Sequence, residues 1–218
     1  GVAPGPANGF TLDVIDCFER FGDRLDWAMI ILNPFEPWPG TYVLDAAASN
    51  DIGVLTRVVD YGGLFWDILR PGAMLGKTDH RGYRPDGWIE AGVDKLDRIR
   101  PIAARHGLSL MQLACQWNLA HPAVKCVAPT LIQEIGPAAR PIEELRAELA
   151  ALPQQIRLSR EDVEEIAAIG DNRGSMALKG ASPVFEGDER PDCWPISAQL
   201  EQLAERHGIN PDEDLVKV

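Results

Sequence analysis

The sequence predicts an α/β fold built on a parallel sheet. Short, wholly apolar segments alternate with amphipathic helical segments, and the helices open on recognisable capping residues. Only three clear strands can be counted, with the stub of another at Gly1. An open parallel sheet of so few strands leaves unpaired backbone at both edges, so the pattern reads as part of a larger sheet.

The elements follow in order. "TLDVIDCFERFGDRL" places Leu12, Ile15, Phe18 and Phe21 at helical spacing behind Thr11 as N-cap. "WAMIIL", residues 27 to 32, is an apolar strand stopped by "NPFEPWPG", whose three prolines in six residues prevent regular structure. "TYVLDAAASN" reads as a short helix and "DIGVLTRVV" as the second strand, ending in Asp60, Tyr61, Gly62 and Gly63. The stretch from there to Trp88 is rich in Gly and Pro, and such a long connection is usually functional or mobile. Two helices follow, the first ending at Gly107 and the second opened by the capping box Ser109-x-x-Gln112. "VKCVAP", residues 124 to 129, is the third strand, and "IEELRAELAAL" the next helix. Ser159 and Asp162 open another, with Leu158 placed to staple against Val163, and "ISAQLEQLAERHG" is the last.

Composition narrows the function classes. Acidic residues outnumber Lys and Arg by 33 to 21, for a formal charge of -12. No basic stripe is present, which argues against nucleic acid as a partner. No apolar run approaches the ~20 residues of a membrane span. Cys17, Cys115, Cys126 and Cys193 are scattered, without a CxxC pair. That usage points to a reducing, cytoplasmic compartment and to no structural zinc or disulfide. The four histidines lack metal-ligand spacing, and His106 and His207, each before a helix-ending glycine, read as dipole caps. Glu143-Glu144 and Glu164-Glu165 read as solvated helix faces, and Trp66 and Trp88 as packing residues that bracket the long loop.

Several stretches, taken in order, carry a resemblance. "GVLTRVVDYGGL", then "GK" and "DHR" in the next loop, "SLMQLACQWNLAHPAVKCVAPT", and "LSREDVEEIAAI" resemble the C-terminal half of an aldo-keto reductase. That family runs there as a strand, a loop, a helix of the form LALxWxLxHPxVxxVIPG, and LSxEExxxI. The similarity is collinear over residues 1 to about 170, and Ser109 to Thr130 is its most specific part. It implies a partial (β/α)8 barrel, about strands five to eight, with a C-terminal helical extension. By register Gly1-Val2 falls on the end of the fifth strand, 28 to 32 on the sixth, 53 to 59 on the seventh and 124 to 129 on the eighth. A barrel of this kind takes ~250 residues or more, so the first half is expected to precede Gly1. Residues 1–157 are expected to form the half-barrel and 158–218 the helices and loop packing over or beside it.

The resemblance also implies a function. The family transfers hydride between a nicotinamide dinucleotide and a carbonyl, alcohol or sugar, with a tyrosine, lysine, aspartate and histidine that belong to the first half. No catalytic residue is therefore assigned here, no metal is expected, and the chain alone is expected to be inactive. What it is expected to supply is cofactor contact. Arg57 falls where the family packs a residue on the nicotinamide ring. Val58 to Gly62 falls on the loop around the pyrophosphate, where Gly62 and Gly63 would let amides approach phosphate. Asp60 departs from that pattern, since an acid repels phosphate, and is assigned to a ribose hydroxyl or the substrate. Thr130, Gln133, Glu134 and Arg140 follow the third strand in place of the family's phosphate-binding loop. A carboxylate there suits NAD over NADP, whereas Arg140 argues the other way. Lys77, Asp171, Asn172 and Lys179 are weaker candidates for which a plain loop is the first reading. Ala3-Pro4 stand where the family has Ser-Asn, and Met29 where it has glutamine, with Asn33 as the substitute.

The expected partners are the dinucleotide, a small carbonyl or sugar-like substrate, and either the first half of the barrel or a second copy of this chain. Two other readings stay open: a non-catalytic binding or regulatory module reusing the half-barrel, and an assembly partner that contributes sheet edges.

Overall fold

The computed structural model describes residues 11–73, 75–76, 79–84, 86–134, 139–172 and 196–215. Their order is α1 (Thr11–Phe21), β1 (Trp27–Ile31), α2 (Leu44–Ser49), β2 (Gly53–Arg57), α3 (Trp88–Arg105), α4 (Leu110–Leu119), β3 (Val124–Ala128), α5 (Ile142–Ala150), α6 (Arg160–Gly170), α7 (Ala198–Arg206) and α8 (Pro211–Asp214), with short 3-10 turns between. The strands form one parallel sheet in the order β1-β2-β3. Ile31 lies level with Arg57 and Arg57 with Ala128, so the three C-terminal ends sit side by side. An irregularity at Val54/Leu55 inserts Lys125 into β3 without a partner, the behaviour of a bulge.

Alternation along the strands defines two faces. Ala28, Ile30, Val54, Thr56 and Val124 are buried, and the apolar members of this set belong to one core cluster with α1, α3, α4 and α6. The opposite face carries Trp27, Met29, Leu55, Arg57 and Cys126. There Trp27 and Met29 keep 46% and 38% of their surface accessible. Together they make an exposed apolar patch, so among the described residues the sheet is covered on one face and open on the other.

The helices form for the reasons the sequence suggests. Ser109 accepts from the Gln112 amide at 3.1 Å while Gln112 accepts from the Ser109 amide, a complete capping box. Ser159 and Asp162 repeat the arrangement on α6. Such caps stabilise by about 1 kcal/mol each. Trp117, fully buried in α4, donates from its indole nitrogen to the Val163 carbonyl of α6 at 3.0 Å. α7 returns to α1 through Arg206 and His207 on Glu19, both at 2.7 Å. His106 and His207 do end helices, yet each also binds a carboxylate, Asp162 for His106 at 2.8 Å. Among the described residues no helix is long and apolar enough to cross a membrane, and no cluster of metal-ligating side chains is present.

Candidate functional site at the strand ends

The C-terminal ends of parallel strands converge on one rim, where α/β proteins hold their ligands. Here the rim is built by tight turns. Val58, Tyr61, Gly62 and Gly63 all have positive φ, from 48° to 93°. For a β-branched residue such as Val58 that is an outlier, and such strain gathers where a structure must hold a particular shape. Part of the restraint comes from the turn after β1. Asn33, fully buried, donates to the Val58 carbonyl at 3.0 Å and to Glu36 at 2.9 Å, while accepting from the Phe35 amide. Tyr61 is buried against Phe35 and Trp88. Burial, then the nearby Glu36 carboxylate, raises its phenol above the ordinary value.

The loops after β2 and β3 are joined by charge. Asp60 is 1% exposed, and its two oxygens accept from the Gly63 amide at 2.9 Å and the Thr130 amide at 2.8 Å. The Trp66 indole donates to the Thr130 carbonyl at 3.0 Å. Arg81, 4% exposed, donates to Asp79, to the Gly62 carbonyl and to both oxygens of Glu134. Hydrogen bonds that Arg81 donates to Asp79, opposed by burial and reinforced by Glu134, raise its guanidinium above the usual value. A Cβ on Gly63 would stand 3.2 Å from both Arg81 and Glu134, so this ion pair rests directly on the glycine backbone.

The remaining assigned residues separate into two groups. Arg57 sits at the end of β2 on the open face, half-buried, with no hydrogen bond or ion pair among the described residues. Gln133 is turned the other way: its side chain accepts from the Ile142 amide at 3.1 Å and so caps the start of α5. Arg140 pairs with Glu148 at 2.8 Å and lines a cavity of about 260 Å³ with Phe65, Trp66, Arg100, Ser109 and Glu148. Asn172 is buried and exchanges hydrogen bonds with the Trp38 backbone at 3.0 and 2.9 Å, and the Asp171 carbonyl accepts from Lys95. Lys77, Lys179, Ala3 and Pro4 lie outside the described residues. Arg81 is the residue that the sequence did not single out. Its only signal was the Asp79-His80-Arg81 run inside a Gly- and Pro-rich loop.

A parallel α/β layer with its C-terminal strand ends side by side is thus the class that the geometry defines. No family model matches the chain, and no curated protein does. The solved structures that share the fold include the following two. Aldo-keto reductase AKR11C1 from Bacillus halodurans, in its apo form, is 17% identical with a TM-score of 0.50, over 78% of this chain and 50% of that one. The glycerol dehydrogenase AKR11B4 from Gluconobacter oxydans is 15% identical with a TM-score of 0.57, over 85% of this chain and 60% of that one. The chain therefore has an aldo-keto reductase-like fold and spans about half of the structures it matches.

The family's dinucleotide fits these strand ends only in part. Arg57 offers a cation without a partner among the described residues. The Gly63 and Thr130 amides are not available to a phosphate while Asp60 holds them.

Proposed function

We propose that this chain is the cofactor-facing, C-terminal half of an aldo-keto reductase-type oxidoreductase. Residues 1–157 form the half-barrel and 158–218 pack beside it. A first-half polypeptide closes the open sheet face and brings the acid-base residues. The cofactor, NAD or NADP, supplies hydride when bound, and the substrate is a small carbonyl, alcohol or sugar-like compound. Arg57 meets the cofactor's ring end, and the loops of Val58 to Gly63 and Thr130 to Glu134 surround its phosphates and ribose. NAD is the favoured form, because the described cations near Glu134 are already paired: Arg81 with Glu134 and Arg140 with Glu148. The cytoplasm is the expected compartment.

The observation that carries this reading is Arg57, partnerless among the described residues at the end of the central strand, on the face the helices leave open. The test is reconstitution. Mixed with a first-half polypeptide carrying Tyr, Lys, Asp and His at its strand ends, the chain should oxidise NADH or NADPH in the presence of a carbonyl, followed by absorbance. Replacing Arg57 with Ala should weaken dinucleotide binding by about tenfold, as the loss of one charge-assisted contact does. Absence of both turnover and dinucleotide binding in the joined protein would exclude the reading.

A second reading, a binding or regulatory module without catalysis, draws on one observation: the rim amides are already filled by Asp60. A joined protein that folds, closes and binds no dinucleotide would favour it.

A further inference from the structure

We propose that Asp60 is a built-in anion occupying the phosphate position of this rim, so that a dinucleotide binds only when Asp60 releases the two amides it holds. The inference rests on the dinucleotide reading above and concerns how that same site is controlled.

Three features carry it. First, backbone amides from two different loops, Gly63 after β2 and Thr130 after β3, aim at one point and meet a single carboxylate at 2.9 and 2.8 Å. Convergent backbone amides, one of them in a turn of positive φ at Gly63, are what a protein builds around an anion, and here the anion is a side chain of the same chain. With 1% exposure, Asp60 leaves no path for a second acceptor to reach those amides while it remains in place. Second, the immediate charge is wrong for phosphate. Asp60, Asp79 and Glu134 contribute three carboxylates against the guanidiniums of Arg81 and Arg84; Arg81 is spent on Asp79, Glu134 and the Gly62 carbonyl, and Arg84 stacks on the Tyr61 and Trp88 rings. Third, the Arg81–Glu134 pair fixes the two loops together beside Gly63, 3.2 Å from where a Cβ on that residue would stand. The loops cannot part to admit a ligand without breaking that pair.

Inorganic phosphate and NADH are the probes, on the full chain alone and then joined to a first half. In the chain alone, the NMR signals of the Gly63 and Thr130 amides should be protected from exchange and unmoved by phosphate. Asp60→Asn keeps one acceptor for Thr130 but withdraws the charge from Gly63. That variant should acquire a phosphate-dependent rise in melting temperature, and in the joined protein it should bind NADH about tenfold more tightly than wild type. If phosphate moves the two amide signals of the wild-type chain, the proposal is overturned, and that result stands even where the variant fails to fold. Equal NADH affinity of wild type and a folded Asp60→Asn protein would overturn it as well. Neither outcome touches the oxidoreductase reading, which falls only if the joined protein neither binds dinucleotide nor turns over.

Discussion

Gly170, the last residue of α6, lies directly against the backbone carbonyl of Pro34, the residue that begins the turn after β1. A Cβ at position 170 would sit 1.6 Å from that oxygen and 2.8 Å from its carbon. Backbone has little room to retreat, so Gly170→Ala should destabilise by about 3 kcal/mol or more. Gly92→Ala in α3 is the control. Its nearest atom, at 2.3 Å, is the end of the flexible Leu64 side chain, and the cost should be about 1 kcal/mol. Denaturant titration of the two variants checks the contrast, and equal costs would refute it.

Acid should loosen the joint between α3 and α6. Burial alone would raise the Asp162 carboxyl, but the Ser159 backbone amide, Arg105 and His106 outweigh it and hold the group at about 2. A carboxyl depressed in the folded state stabilises above its unfolded pKa of about 3.9 and loses that contribution as pH falls through the folded value. About 2 kcal/mol should therefore disappear between about pH 4 and pH 2. Urea midpoints measured across that range should fall for wild type and stay flatter for Asp162→Asn.

The cysteines report on the open sheet face. Cys115 is fully buried in α4, and burial, with smaller contributions from Asp60 and Glu148, pushes its thiol up to about 12. Cys126 and Cys17 are half-buried. Iodoacetamide at neutral pH should modify Cys126 and Cys17 and spare Cys115 until denaturant is added, as read by peptide mass spectrometry. A first-half polypeptide should then protect Cys126 and leave Cys17 unchanged. Unaltered labelling of Cys126 in the joined protein would show that closure takes place elsewhere.

Two buried polar side chains should respond in opposite directions. The Thr56 hydroxyl is fully buried in β2 without a hydrogen-bond partner among the described residues. Thr56→Val removes that hydroxyl and should stabilise by about 1 kcal/mol. Gln116 donates to the Pro153 and Gln155 carbonyls and accepts from the Arg157 amide at 2.7 Å. Gln116→Leu strands all three groups and should cost about 3 kcal/mol. Thermal melts of both variants decide the signs.

Elements whose signal is local could be read from the sequence. The strands showed as short apolar runs, and the boxes at Ser109 and Ser159 are four-residue patterns that formed as expected. α8 was missed because it is a single turn, although Asn210-Pro211 is a recognisable helix opening. At the rim the sequence was a poorer guide. Asp60 stood out as an acid where phosphate was expected, but its partners are backbone amides, which leave no trace in residue identity. Glu134 read as a ribose acceptor because nothing local reveals Arg81, 53 positions earlier, as its counter-ion. Gln133 acts as a cap through an amide nine residues away, beyond the three-residue reach of the usual motif.

The pairing of α7 with α1 sets an order of events during synthesis. Arg206 and His207 meet Glu19 across 187 and 188 positions, and Gln199 meets Asp16 across 183. At the ribosome's pace of about 5–20 residues per second, α1 leaves the exit tunnel roughly 10–40 s before its partner exists. Through that interval Glu19 and Asp16 wait without Arg206, His207 and Gln199, and nascent chains are where a holding chaperone or a truncated message would act first. A helix made late, α7, is thus the one that completes α1.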